Sequence, residues 1–161
     1  MKQSKHILNI ILWYLGTTLL LSCQDNLLYA SYSELPSLQW ESRDTISFTI
    51  PPVSEDKQVS LSIGARTNQL FDYTSITVRA WLECDGQPAN TYLMPIHMDK
   101  NESTPHKPQA PLYSDHLSIP QPIRLKANKP YTLRVTHIMR QHALNNISHI
   151  GIIIEDKETR K

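Results

Sequence analysis

Cys23 is the residue with the clearest chemistry in this chain of 161 residues. It follows Leu20-Leu21-Ser22, and a small residue before a cysteine at the end of an apolar run is the pattern of a bacterial lipobox. There the thiol accepts a diacylglyceryl group and becomes the first mature residue. The step needs sulfur, whose thiolate is nucleophilic near neutral pH. Two or more acyl chains, at about 0.8 kcal/mol per buried CH₂, hold a protein on a bilayer that a single chain would leave. Lys2 and Lys5 supply a positive start, and residues 7–21 are mostly apolar, interrupted by Asn9, Gly16 and Thr17-Thr18. That run is short for a membrane span of about 20 residues. It fits a secretory signal. Residues 1–22 are therefore expected to be a lipoprotein signal peptide, with membrane lipid as a partner through acylated Cys23.

Other candidate chemistry is thin. The histidines beyond the signal are His97, His106, His116, His137, His142 and His149, and no two stand at the i, i+2 spacing that puts metal ligands on one strand face. Glu34, Glu41, Glu55, Glu83, Glu102 and Glu155 offer carboxylates, but no spacing pairs two of them as acid and base. There is no nucleophile elbow, no zinc-protease helix, no C-x-x-C and no phosphate-binding loop. No catalytic residue, metal site or cofactor is expected. Trp81 and Arg79 fall on the polar side of a strand and could form an interaction platform, as could Arg140 just past another strand. The plainer expectation is that a neighbouring segment covers Trp81.

Charge narrows the partners. Sixteen basic residues face 15 acidic ones, a net charge of +1. Removing Lys2 and Lys5 with the signal leaves 14 against 15, a net of −1. No basic excess remains to bind nucleic acid. With Cys23 acylated, Cys84 is the other of the 2 cysteines and has no partner for a disulfide within the mature chain. It closes the alternation Ile76, Val78, Ala80, Leu82, and so reads as a small core residue.

The elements that hold these residues read as strands. Apolar and polar residues alternate with period two at Ile46, Phe48 and Ile50, where Pro51-Pro52 ends the run. The same period recurs at Val59, Leu61 and Ile63, at 76–84, at Tyr92, Met94, Ile96 and Met98, and at Tyr131, Leu133 and Val135. Asp85-Gly86 marks a tight turn. Residues 149–155 are Ile-rich and predict a strand buried on both faces, and 112–119 predict a weaker one. Residues 139–146 suggest a short turn or helix. Residues 99–111, with Pro105, Pro108 and Pro111, predict a long loop. Seven or eight strands predict an all-β fold: a two-sheet antiparallel β-sandwich, jelly-roll or immunoglobulin-like. The expected organisation is 1–22 signal, 23–43 lipidated tether and first segment, 44–156 sandwich, and 157–161 charged tail. Within the first segment, 24–35 read as a tether or an edge strand.

Downstream of the lipobox a set of residues resembles a known family. Tyr29, Tyr32, Leu35-Pro36, Trp40, Asp44 and Phe48 are similar to the opening of the gliding motility lipoprotein H (GldH) family. Arg66, Asn68, Phe71, Tyr73 and Ile76 resemble its middle segment. His137, Met139-Arg140, Leu144, Ile147, Ile150-Gly151 and Ile154-Glu155 resemble its closing one. Asn146 stands where the family pattern has Gly, His149 where it has Asp, and residues 99–109 lack its Gly and Trp. The resemblance implies a membrane-anchored envelope lipoprotein, a non-catalytic component of the gliding motility and associated secretion machinery. Its partners would be other envelope motility or secretion proteins. A flexible start would give such a module reach. Gln24 after the cysteine, with no acidic run beyond, points to the outer membrane with the domain facing the periplasm. The alternative on the same architecture is a glycan-binding lipoprotein, which requires several aromatics on one exposed face.

Overall fold

The computed structural model describes residues 26–98 and 113–157. Cys23, His106 and the expected loop at 99–111 lie outside the described residues. Within them the chain is built from β1 (Leu27–Glu34), β2 (Gln39–Glu41), β3 (Ile46–Ile50), β4 (Lys57–Thr67), β5 (Ser75–Cys84) and β6 (Gln87–His97), followed by β7 (Tyr113–Ser118), β8 (Ile123–Leu125), β9 (Tyr131–His137), β10 (Ala143–Asn145) and β11 (Ile147–Asp156). One antiparallel sheet runs β1-β11-β4-β7, with β8 also paired to β4. The other runs β3-β9-β5-β6, and β2 with β10 forms a small third pair. The all-β, two-sheet expectation is met.

Alternation explains most of this. Ile46, Phe48 and Ile50 of β3, Val78 and Leu82 of β5, and Leu133 and Val135 of β9 turn inward, while their neighbours face out. They meet Leu61, Ile63, Ile150, Ile152 and Ile154 from the other sheet in a single apolar cluster. Fully burying each such side chain contributes about 1.5–3 kcal/mol. Strand β11 lies between β1 and β4 and is mostly buried on both faces, as its Ile-rich sequence predicts. The Asp85-Gly86 turn is real: both residues have positive φ, 51° and 75°, and Cys84 pairs with Gln87 across it. Two positive φ angles are what a two-residue hairpin turn needs to match strand twist.

Three segments differ from expectation or settle it. Residues 139–146 form no helix. They bend and then extend as β10, because Leu144 is drawn into register opposite Trp40 of β2. Residues 27–34 are an edge strand, held along β11 from Leu27 opposite Glu155 to Glu34 opposite His149. Cys84 is a free thiol, half-buried at the end of β5 rather than fully inside.

The registers give the sandwich two distinct ends. Asn26, the start of β4, the turn after β5 and Asp156 gather at one end: the Asp156 N–H donates to the Asn26 carbonyl at 2.8 Å, and Asp156 pairs with Val59. Loop 51–56 belongs there too, since Asn128 N–H donates to the Val53 carbonyl at 2.8 Å. The opposite end carries Glu34, the β2–β10 pair, the loop after β4 and His137.

Candidate functional site

On the outer face of β5, Trp81 is half-buried and Arg79 is exposed. The Trp81 indole N–H donates to Glu83 Oε1 at 3.1 Å. That same oxygen accepts from Arg134 Nε of the neighbouring β9 at 2.9 Å, and Arg134 Nη1 donates to Ser47 Oγ at 3.1 Å. Three strands are thus laced by one polar chain, which uses up the indole donor. The residues opposite Trp81 are Thr91 and Arg134, so β5's neighbours add no second ring beside it. Arg140 is exposed on the bend after β9, at the far end from Asn26, and forms no common site with Trp81.

The histidines are dispersed. His137 is buried, and its Nε2–H donates to the Trp40 carbonyl at 3.1 Å. Trp40, itself fully buried, packs edge-to-face on the imidazole with ring centres 5.2 Å apart. Burial holds His137 below the usual imidazole range, opposed by the bond to the Trp40 carbonyl and by Asp44. Its Nδ1 is buried without a partner, which fits a neutral ring whose second nitrogen carries only a lone pair. His97 is exposed at the end of β6, while His149 lies half-buried with Nδ1 3.0 Å from Ser148 Oγ. Among the described residues no group of three or more His, Cys, Asp or Glu side chains could hold a metal.

A row of residues whose association the sequence reading did not anticipate crosses the outer face of the first sheet. Tyr32, Gly151, Gly64 and His116 stand in register on four successive strands. The Tyr32 ring lies so close over Gly151 that a Cβ there would overlap its Cδ1 and Cε1 atoms. Its hydroxyl reaches His116 Nε2 at 2.8 Å, and the Arg66 guanidinium stacks 3.9 Å from the ring centre. Glycine at 151 lets an aromatic ring lie flat where any side chain would lift it. The family resemblance names Tyr32, Arg66 and Gly151 separately, and a further signal is two of the chain's 4 glycines inside strand sequence, a mark of close approach.

The residues that carry the family resemblance meet in space. Tyr32 from the first segment holds Arg66 from the second and Gly151 from the third. Trp40 packs on His137 and pairs with Leu144, while its indole N–H donates to the Asp44 carbonyl at 3.2 Å. Asn68 Nδ2 donates to Asn146 Oδ1 at 3.1 Å, and Asn146 Nδ2 to the Leu70 carbonyl at 2.9 Å. Asn146 has φ of 69°, a left-handed conformation. Apart from Gly, Asn is the side chain that best tolerates that backbone. These contacts shape the end of the sandwich far from Asn26 and present no reactive group.

At the near end a cleft of about 520 Å³ is lined by Asn26, Ser60, Ser118, Pro120, Glu155, Asp156 and Lys157, among others. Lys57 Nζ binds Asp156 Oδ2 at 2.8 Å, which raises the lysine's pKa. No helix among the described residues is long and apolar enough to cross a membrane.

A family model described as GldH lipoprotein matches residues 27–154, from the first residue of β1 almost to the end of β11. No curated protein matches the sequence. Among solved structures, a family GH115 4-O-methyl-α-glucuronidase with specificity for decorated arabinogalactans has 10% identity and a TM-score of 0.41 over 80% of this chain and 16% of its own. Dimeric latent PorU from Porphyromonas gingivalis has 12% identity and a TM-score of 0.32 over 79% of this chain and 12% of its own. The infectious bursal disease virus VP2 subviral particle has 14% identity and a TM-score of 0.30, over 81% and 31%. This chain thus spans less than a third of each, and likenesses so slight carry no conclusion.

Proposed function

This chain belongs to the GldH lipoprotein family, and from that premise we propose that it is a tethered interaction module of the gliding motility and associated secretion machinery. The family match over the whole sandwich carries the reading. Members are non-catalytic lipoproteins of the cell envelope linked to gliding. In the proposed mechanism acyl chains on Cys23 fix the domain to the membrane, and its loops and edges meet other envelope proteins. Gln24 after the cysteine supports an outer-membrane position facing the periplasm. The strand orders β1-β11-β4-β7 and β3-β9-β5-β6 support a jelly-roll reading of the sandwich over an immunoglobulin-like one. Arg79 and Arg140 remain candidates for partner contact because both are exposed. The glycan-binding alternative has less to support it, since the Trp81 indole N–H is committed to Glu83 and no second ring stands opposite it on the paired strands.

The test is Cys23→Ser in cells fed a tagged fatty acid. The variant is expected to lose label and to leave the membrane fraction or keep its signal peptide. Label retained by the serine variant would contradict acylation at Cys23.

A further inference from the structure

The lipidated cysteine and the first pinned residue of the sandwich are separated by very little chain. Asn26 is held by the bond from Asp156 N–H at 2.8 Å, and β1 begins at the next residue. Three peptide units join residue 23 to residue 26, a reach of at most about 11 Å. Strand β4, with 11 residues, runs about 36 Å at a rise of about 3.3 Å per residue. The leash is therefore much shorter than the domain it holds, and the expected long reach of a flexible start is not available.

We infer that the chain stands end-on, with the end formed by Asn26, Leu27 and Lys157 against the lipid surface and the Trp40–His137 end turned away. Which end faces the bilayer follows from the leash length and from where the leash enters. Leu27 and Leu28, 52% and 38% exposed, are the first strand residues after it. Both are placed to enter the apolar boundary of the headgroup layer, where Leu is favoured over water. Leu38, Leu70 and Ile138 are exposed at the opposite end, about a domain length from the lipid, where only a protein partner can reach them. This inference rests on acylation of Cys23.

The experiment uses the full acylated chain in phosphatidylethanolamine–phosphatidylglycerol vesicles. A thiol-reactive fluorophore is attached in a Cys84→Ser background at Lys157→Cys or at Leu70→Cys, both exposed positions. Vesicle flotation of the same samples reports the anchor separately. With floated protein, a nitroxide carried on the lipid headgroup is expected to quench the label at 157 strongly and to leave the label at 70 at its nitroxide-free intensity. Equal quenching at both positions, or no quenching at 157, in protein that floats would overturn the end-on orientation and leave the anchor intact. Protein that does not float would overturn the anchor and the orientation with it.

Discussion

A buried histidine with one unpaired nitrogen makes a pH-dependent weakness. His137 gives its Nε2–H to the Trp40 carbonyl and leaves Nδ1 without a partner. Protonating Nδ1 would put an unpaired charge inside the apolar end, so burial lowers the folded-state pKa. The unfolded chain keeps an ordinary histidine near about 6.5. The unfolded state then binds the proton more readily, and His137's contribution, complete above about 6.5, is lost as pH falls through that value toward the lower folded one. Urea midpoints of wild type are expected to fall across this window, with a smaller fall in His137→Phe; parallel curves would contradict the assignment. Asn146 gives a second test. Asn146→Ala removes both amide bonds and keeps a Cβ in left-handed backbone, and should cost about 1–3 kcal/mol. Asn146→Gly keeps the backbone relaxed and should cost less, measured by the same unfolding curves. Since both variants lose the same amide bonds, a reverse order would show that a Cβ carries no cost at this left-handed φ. Neither feature was legible in sequence. His137 closes a strand alternation, but its partner lies 97 residues away, and Asn68 and Asn146 are 78 apart.

Strands were legible in proportion to how unequally their two faces are buried. β3, β5 and β9 alternate cleanly because one face meets the core and the other meets water or polar neighbours. β1 was ambiguous, since an edge strand that is mostly half-exposed shows no strong period. β10 was misjudged because Met139, Ala143 and Leu144 have helical spacing, and only pairing with β2 extends them. The Tyr32 row belongs to the same scale, being a property of four strands in register. Gly151→Ala should lift the ring, break its bond to His116 and its stack with Arg66, and cost about 1–3 kcal/mol. Tyr32→Ala in combination should recover part of that loss, because the overlap is removed. Additive losses would mean that the ring yields without strain.

At the scale of the molecule, the contacts that make the chain recognisable are those that hold its far end together, and they contain no group poised for catalysis. What remains for function, on the proposed reading, is position: a sandwich on a short lipid anchor, offering one end to partners. Anchoring raises the local concentration of such a module near those partners without any new contact. The all-β class and the family were legible because each depends on local sequence. The proposed end-on placement was not, since it needs the register that pins Asn26 beside Asp156. The most direct test is complementation of a strain lacking the gene, comparing the acylated protein with the same domain exported without Cys23 at matched abundance, read as gliding and linked secretion. The anchored protein should restore both, and the free domain little of either. Full rescue by the free domain would contradict the tethered-module account.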